Sequence, residues 1–214
     1  MIEIEGTMIG TGYRPYIIAE IGINARNDLT LAKRFIEVAA DAGADAIKFQ
    51  THIADAEMVE SEMRSIDAGM VYNTVADCEW SLDEHWELQS HADMHDVMFL
   101  STPFSTEAVD LLDEIDVPAI KIGSGEMNNR ELLDRAGNTG KPLLVSTGMN
   151  TLDEIKATCE FLDDVASKYA LFYCVSAYPT TAADFDFKTI EMLEEMADVP
   201  VGFSDHSTGV EAAK

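Results

Sequence analysis

Leu29-Thr-Leu-Ala-Lys-Arg-Phe-Ile-Glu-Val-Ala-Ala-Asp-Ala-Gly-Ala-Asp-Ala-Ile-Lys-Phe-Gln-Thr51 holds one complete helix–turn–strand unit. Its first part reads as an amphipathic helix over Leu29–Ala42. Gly43 ends it, because glycine adopts the left-handed conformation of a helix C-terminus without steric cost. Its second part, Ala46–Thr51, is a short apolar run with no alternation of polar and apolar residues. Such a run marks a strand buried on both faces, as in a parallel sheet.

The same unit recurs along the chain. Strands are predicted at Tyr16–Ile21, Ala46–Thr51, Val97–Ser101, Ala119–Ile122, Pro142–Ser146, Tyr169–Val175 and Val199–Ser204. Helices are predicted at Leu29–Ala42, Ser105–Ile115, Asn129–Ala136, Thr151–Val165 and Asp186–Met196, and another opens at Ser81. Ser81 with Glu84 and Thr151 with Glu154 have capping-box spacing. Strand-to-strand steps of about 20–30 residues fit right-handed βαβ units. Residues 53–77 form one long polar, helix-prone excursion, expected as an ordered loop over one end of the sheet. Residues 1–15, with glycines among Ile2, Ile4, Met8 and Ile9, read as a hairpin at the bottom of a barrel. Ser207–Lys214 reads as the start of a helix.

The fold class expected is therefore α/β: a (β/α)8 TIM barrel, incomplete, with about seven units and a short N-terminal β-hairpin. The domains are 1–15, the hairpin, and 16–214, a partial barrel. A parallel barrel closes only when strand number and shear agree, so the full protein is expected to continue beyond Lys214 with strand eight. A doubly wound nucleotide-binding sheet is the competing fold. It lacks a G-x-G-x-x-G or Walker sequence after the first strand.

The composition narrows the function. The chain has 214 residues, 47% of them hydrophobic, and carries 40 Asp plus Glu against 14 Lys plus Arg, a net charge of -26. Nucleic acid and anionic membrane surfaces repel such a chain, so neither is an expected partner. Concentrated salt screens the self-repulsion, which points to a saline, halophile-like cytoplasm. Cys78, Cys159 and Cys174 are odd in number and lack C-x-x-C spacing, arguing against a disulfide framework or structural zinc. Cys174, in an apolar run, reads as an inert buried thiol. No basic, apolar leader opens the chain, and no run approaches the roughly 18 apolar residues of a membrane span. A cytoplasmic location is expected.

Barrel chemistry sits at strand C-termini. In order these ends offer Glu20, Lys48 with Gln50, Ser101 with Thr102, Lys121 with Ser124, Ser146 with Thr147, Ser176, and Ser204-Asp205-His206. The lysines are the sharpest signal. Only eight exist, and two lie in matching apolar contexts, Ala46-Ile-Lys48-Phe and Ala119-Ile-Lys121-Ile. An ammonium there must be paired or lose its proton. Three readings stand: salt bridges to Glu20 or Glu126, a pocket for a phosphate and a carboxylate, or a Schiff base. His206 reads as a metal ligand or as a structural residue. His52 and the group His85, His91 and His95 are alternatives. The last three share one predicted helix, where a solvated or packed face is the plainer reading.

Ile17-Ile-Ala-Glu-Ile-Gly-Ile-Asn24, Ala42–Thr51, Ser101-Thr-Pro-Phe104, Lys121-Ile-Gly-Ser-Gly-Glu126, Ser146-Thr-Gly-Met149, Tyr178-Pro-Thr180 and Gly202-Phe-Ser-Asp-His206 together resemble the successive motifs of the N-acetylneuraminate (sialic acid) synthases. The resemblance implies condensation of phosphoenolpyruvate with an N-acetylmannosamine-type amino-sugar aldehyde and water, releasing phosphate and a nine-carbon 2-keto acid. Legionaminic or pseudaminic acid synthases, other phosphoenolpyruvate–aldose synthases and a non-catalytic sugar-binding remnant are the alternatives. It implies a phosphoenolpyruvate site at Lys48, Thr102, Lys121, Ser124, Ser146, Ser176 and Ser204, although some members have Asn at position 176. It implies sugar contacts from Glu20, Gln50 and Tyr178, with Glu20 also transferring a proton. It implies a divalent metal, Mn or Mg, on catalytic His206, whose partner ligands belong to strand eight. It also implies a full-length homodimer, in which a C-terminal antifreeze-like domain lends an Arg to the partner's pocket. Ala25-Arg26-Asn27 departs from the family's His-x-Gly.

Overall fold

The computed structural model describes residues 1–213 and contains two sheets. β1 (Ile2–Ile4) and β2 (Thr7–Ile9) pair antiparallel, Ile2 opposite Ile9. Glu5 and Gly6 turn between them at positive φ, and Ile2 and Ile4 are buried while Glu3 is exposed. This is the predicted hairpin. A Cβ added at Gly10 would lie 3.4 Å from Pro200 Cγ, so the chain after β2 passes close to the residue that leads into the last strand.

The second sheet holds β3 (Ile18–Gly22), β4 (Ala46–Thr51), β5 (Met98–Pro103), β6 (Ile120–Ile122), β7 (Leu143–Ser146), β8 (Tyr169–Cys174) and β9 (Val201–Ser204). They lie side by side in chain order. Registered pairs among them are parallel, for example Glu20 opposite Lys48 and Gln50 opposite Thr102. A doubly wound sheet reverses its strand order at a switch point. Here the order never reverses, and the fold is an incomplete (β/α)8 barrel. The helices are α1 (Leu29–Asp41), α2 (Ala54–Glu57), α3 (Glu60–Ser65), α4 (Gly69–Ala76), α5 (Leu82–Met94), α6 (Thr106–Glu114), α7 (Arg130–Gly137), α8 (Leu152–Val165) and α9 (Lys188–Ala197). None is long and apolar enough to cross a membrane, among the described residues.

The residues group into two compact units. In the first, Tyr16–Ile120, Ala32 and Ile36 of α1 and Leu88 and Ala92 of α5 are buried, as are Ile47 and Phe49 of β4. Phe49 stacks on Phe99 at 5.6 Å between ring centroids and meets the edge of Trp80. The second unit joins Met1–Pro15 to the chain from Lys121 onward. Its core uses Leu132 and Leu133, Leu143 to Val145, Leu162, Leu171 and Leu193. Gly137 lets α7 approach α8 closely: a Cβ there would stand 2.6 Å from Val165 O.

Two expectations change. Residues 53–77, expected as a helix-prone ordered loop, do carry helix, but as three separate short helices, α2 to α4, braced by Arg64 on Glu60 and by Tyr72 on Asp55. The helix expected from Ser207 does not form through residue 213. Ser207 N–H donates to Asp205 Oδ1 at 2.8 Å, Ser207 bridges to Thr180, and Gly209 takes φ +98. These features hold the backbone outside the right-handed helical region. The expected partial end at Lys214 lies outside the described residues.

Candidate active site

In the Tyr16–Ile120 unit, four predicted residues meet at the ends of β3, β4 and β5. Lys48 is buried and its Nζ has two close partners: Glu20 Oε2 at 2.6 Å and Thr102 Oγ1 at 2.7 Å. Parallel register accounts for this, because Glu20 lies directly opposite Lys48. The salt-bridge reading of Lys48 is thus realised, but with a carboxylate that is 51% exposed. The ion pair faces solvent on its acidic side, where a ligand can reach it. A bulge between Glu20 and Gly22 turns the strand end, and a Cβ at Gly22 would meet both Glu20 Oε1 and the Gln50 amide. Gln50 is itself held: its Oε1 lies 3.0 Å from His52 Nε2, while Nδ1 of that ring lies 3.0 Å from Glu57. The His52 ring stacks on Phe104 at 4.4 Å.

Ser101 does not join this group. Side chains alternate along a strand, so Thr51 and Ser101 point away from Lys48 and Thr102. Thr51 Oγ1 meets Ser101 Oγ at 2.7 Å and His85 Nε2 at 2.9 Å, and His85 Nδ1 donates to Ser81 O. Burial pushes the His85 pKa below its ordinary value. The chain of bonds ties the sheet to α5 and is structural.

In the other unit, buried Lys121 donates to Ser146 Oγ and, at 3.0 Å, to Ile122 O. Its Nζ also stands 5.2 Å from the centre of the Phe172 ring. Gly148 marks a second focus. A Cβ there would lie 2.6 Å from Ser176 Oγ, 2.8 Å from Cys174 Sγ and 2.9 Å from Ser124 Oγ. Three side chains therefore crowd one backbone position that only glycine can occupy. Ser124 Oγ and Cys174 Sγ are 3.2 Å apart, and Ser204 lies opposite Cys174 in the β8–β9 register. Asn150 ties the loops together, donating to Ser124 O and Gly148 O. Thr147 is spent on the backbone, donating to Phe172 O.

Tyr178, 76% exposed, lays its ring 4.4 Å from that of His206. His206 Nδ1 donates to Val175 O at 2.9 Å, which leaves Nε2 as the ring's lone-pair nitrogen, 3.5 Å from the Tyr178 hydroxyl. A metal-bound histidine is oriented in this manner, by a carbonyl on its other nitrogen. His206 therefore fits as one ligand. A catalytic site of the zinc type uses about three protein ligands. Among the described residues such a trio of ligand atoms comes together elsewhere, at Glu37, His91 and His95.

Three contacts were not legible in the sequence. Cys174, expected as a buried thiol and buried here, also meets Ser124. Asn150, in an ordinary turn composition, ties two loops together, and His52, a lone histidine in the sequence, orients Gln50.

The class that fold and site define is a parallel barrel of βα units with buried ammonium–hydroxyl pairs at its strand ends. Within that class, the NeuB family model matches residues 35–214, and the chain belongs to the NeuB family. It is 36% identical over 205 residues to the N,N'-diacetyllegionaminic acid synthase of Campylobacter jejuni, covering 91% of this chain and 61% of that protein. It is 32% identical over 219 residues to human N-acetylneuraminate-9-phosphate synthase, covering 98% and 61%. Among solved structures, the N-acetylneuraminic acid synthetase of Leptospira borgpetersenii, in complex with citrate, superposes with a TM-score of 0.91 at 33% identity, covering 99% of this chain and 72% of that one. The chain spans about 61% of the length of these two curated relatives.

Proposed function

We propose that this chain carries the phosphoenolpyruvate-binding and much of the sugar-binding surface of a nonulosonic acid synthase. The reaction joins C3 of phosphoenolpyruvate to the aldehyde carbon of an N-acetylmannosamine-type sugar. Water adds at C2, and the C–O bond to the departing phosphate breaks. Lys121 with Ser146, Ser124, Ser176 and Ser204 is one anion-binding set, and Lys48 with Thr102 is the other. Each set by itself suits an anionic group of the kind that phosphoenolpyruvate carries. These donors neutralise the charge that develops on the leaving phosphate. Glu20 transfers a proton at the aldehyde or the hydroxyl it becomes. Gln50 and Tyr178 contact the sugar. His206 would be one ligand of a divalent metal, Mn or Mg, which would supply Lewis-acid polarisation of the aldehyde.

What supports this is the pair of buried lysines, each donating to a hydroxyl at a strand end in a chain with only eight lysines. Titration calorimetry with phosphoenolpyruvate tests it. Lys121→Ala should weaken binding at least about tenfold, the scale of a lost charge-assisted hydrogen bond, with the circular dichroism spectrum unchanged. Unaltered affinity in a folded variant would overturn the assignment. Phosphate release across a panel of N-acetylated amino sugars, with Mn²⁺ or with chelator, then sorts sialic from legionaminic and pseudaminic substrates.

A further inference from the structure

The seam between α1 and α5, in the Tyr16–Ile120 unit, holds a cluster that the proposed reaction does not use. Lys33 of α1 reaches Glu87 of α5. One turn further along each helix, Glu37 faces His91, with Oε1 3.5 Å from Nε2. That separation is beyond a good hydrogen bond, and His91 Nε2 is buried without a hydrogen-bond partner. His95, four residues on, follows the last residue of α5, and its ring centre stands 4.8 Å from that of His91. One ligand atom from each of Glu37, His91 and His95 lies within 4.8 Å of the other two.

The chemistry of the set is selective. Two imidazoles and one carboxylate suit zinc and its neighbours, whereas Mg²⁺ and Ca²⁺ prefer oxygen throughout. Glu37 is prepared to be the anionic member. Arg34 binds its Oε2 at 2.7 Å, leaving Oε1 toward His91. A tetrahedral ion with bonds of about 2.1 Å needs its ligands about 3.4 Å apart. His95 is exposed and lies just past the helix end, so its ring can turn to close that gap.

We propose that Glu37, His91 and His95 form a zinc-type site that staples α1 to α5, with its fourth position taken by water. The two helices come from successive βα units, so the ion fixes the packing of one unit against the next. Its role is structural and separate from His206 in every residue.

The test is Co²⁺ titration of the chelator-stripped chain, followed by visible absorption, with thermal unfolding in parallel. One equivalent of Co²⁺ should bind with tetrahedral-type bands and be displaced by Zn²⁺ but not by Mg²⁺. Zn²⁺ at about 100 times its Kd should raise Tm by about 5–10 °C. His95→Gln changes an exposed side chain and should fold as the parent does, yet lose the bands and the Tm shift. Glu37→Gln should weaken both, and His206→Gln should keep both. The proposal is overturned if the parent chain shows neither signal, if His95→Gln retains them, or if His206→Gln abolishes them.

Discussion

His85 shows how a single buried ring couples fold stability to pH. Its Nε2 accepts from Thr51, its Nδ1 donates to Ser81 O, and burial holds its pKa below the ordinary 6.5. Below that pH the unfolded chain takes up a proton that the folded ring refuses. The stability it contributes is present above about pH 6.5 and is lost as pH falls toward the folded value. Urea unfolding at about pH 7.5 and about pH 5.5 should show a drop in midpoint. The drop should be smaller in His85→Gln, and an equal drop in the variant would refute the link. At this scale the sequence was readable where a residue type was out of place. Lys48 and Lys121 announced themselves because ammonium groups do not sit in apolar strands without a reason. Cys174 did not, because a thiol among Leu171, Phe172 and Val175 is where thiols usually lie. Its contact with Ser124 and Gly148 depends on loops separated by dozens of residues, which no local pattern encodes.

The elements follow from local rules. Capping boxes read from Ser81-x-x-Glu84 and Thr151-x-x-Glu154 are present with both reciprocal bonds. Thr151 and Ser81 satisfy backbone N–H groups that the helix cannot pair internally. Thr151→Ala should cost about 1 kcal/mol, read as a lower urea midpoint with an unchanged m-value. No loss of stability would show α8 to be held by packing alone. Parallel, doubly buried strands were legible because their apolar runs lack alternation, and β4 is buried along nearly its whole length. The tail after Ser204 was misread because its composition suits a helix start. The bond that Ser207 N–H donates to the Asp205 carboxylate and the positive φ of Gly209 decide otherwise.

Across the whole molecule, charge outweighs any single contact. A net -26 over 214 residues repels itself. Salt shortens the reach of that repulsion from about 10 Å at 0.1 M to about 3 Å at 1 M. Melting temperature should therefore rise between 0.1 M and 1 M KCl. A flat or falling curve would remove the case for adaptation to saline surroundings. Yet the 40 acidic side chains are not interchangeable. Glu84, Glu154 and Asp184 each accept a backbone N–H at the start of a helical turn, and bonds from Thr151 and Thr181 lower the pKa of the last two. The positive end of a helix dipole favours such anions. The capping boxes thus split the carboxylates into two populations with opposite responses to neutralisation. Trimming acidic groups at random to adapt the protein to fresh water would relieve strain at most positions and unravel helix starts at these few.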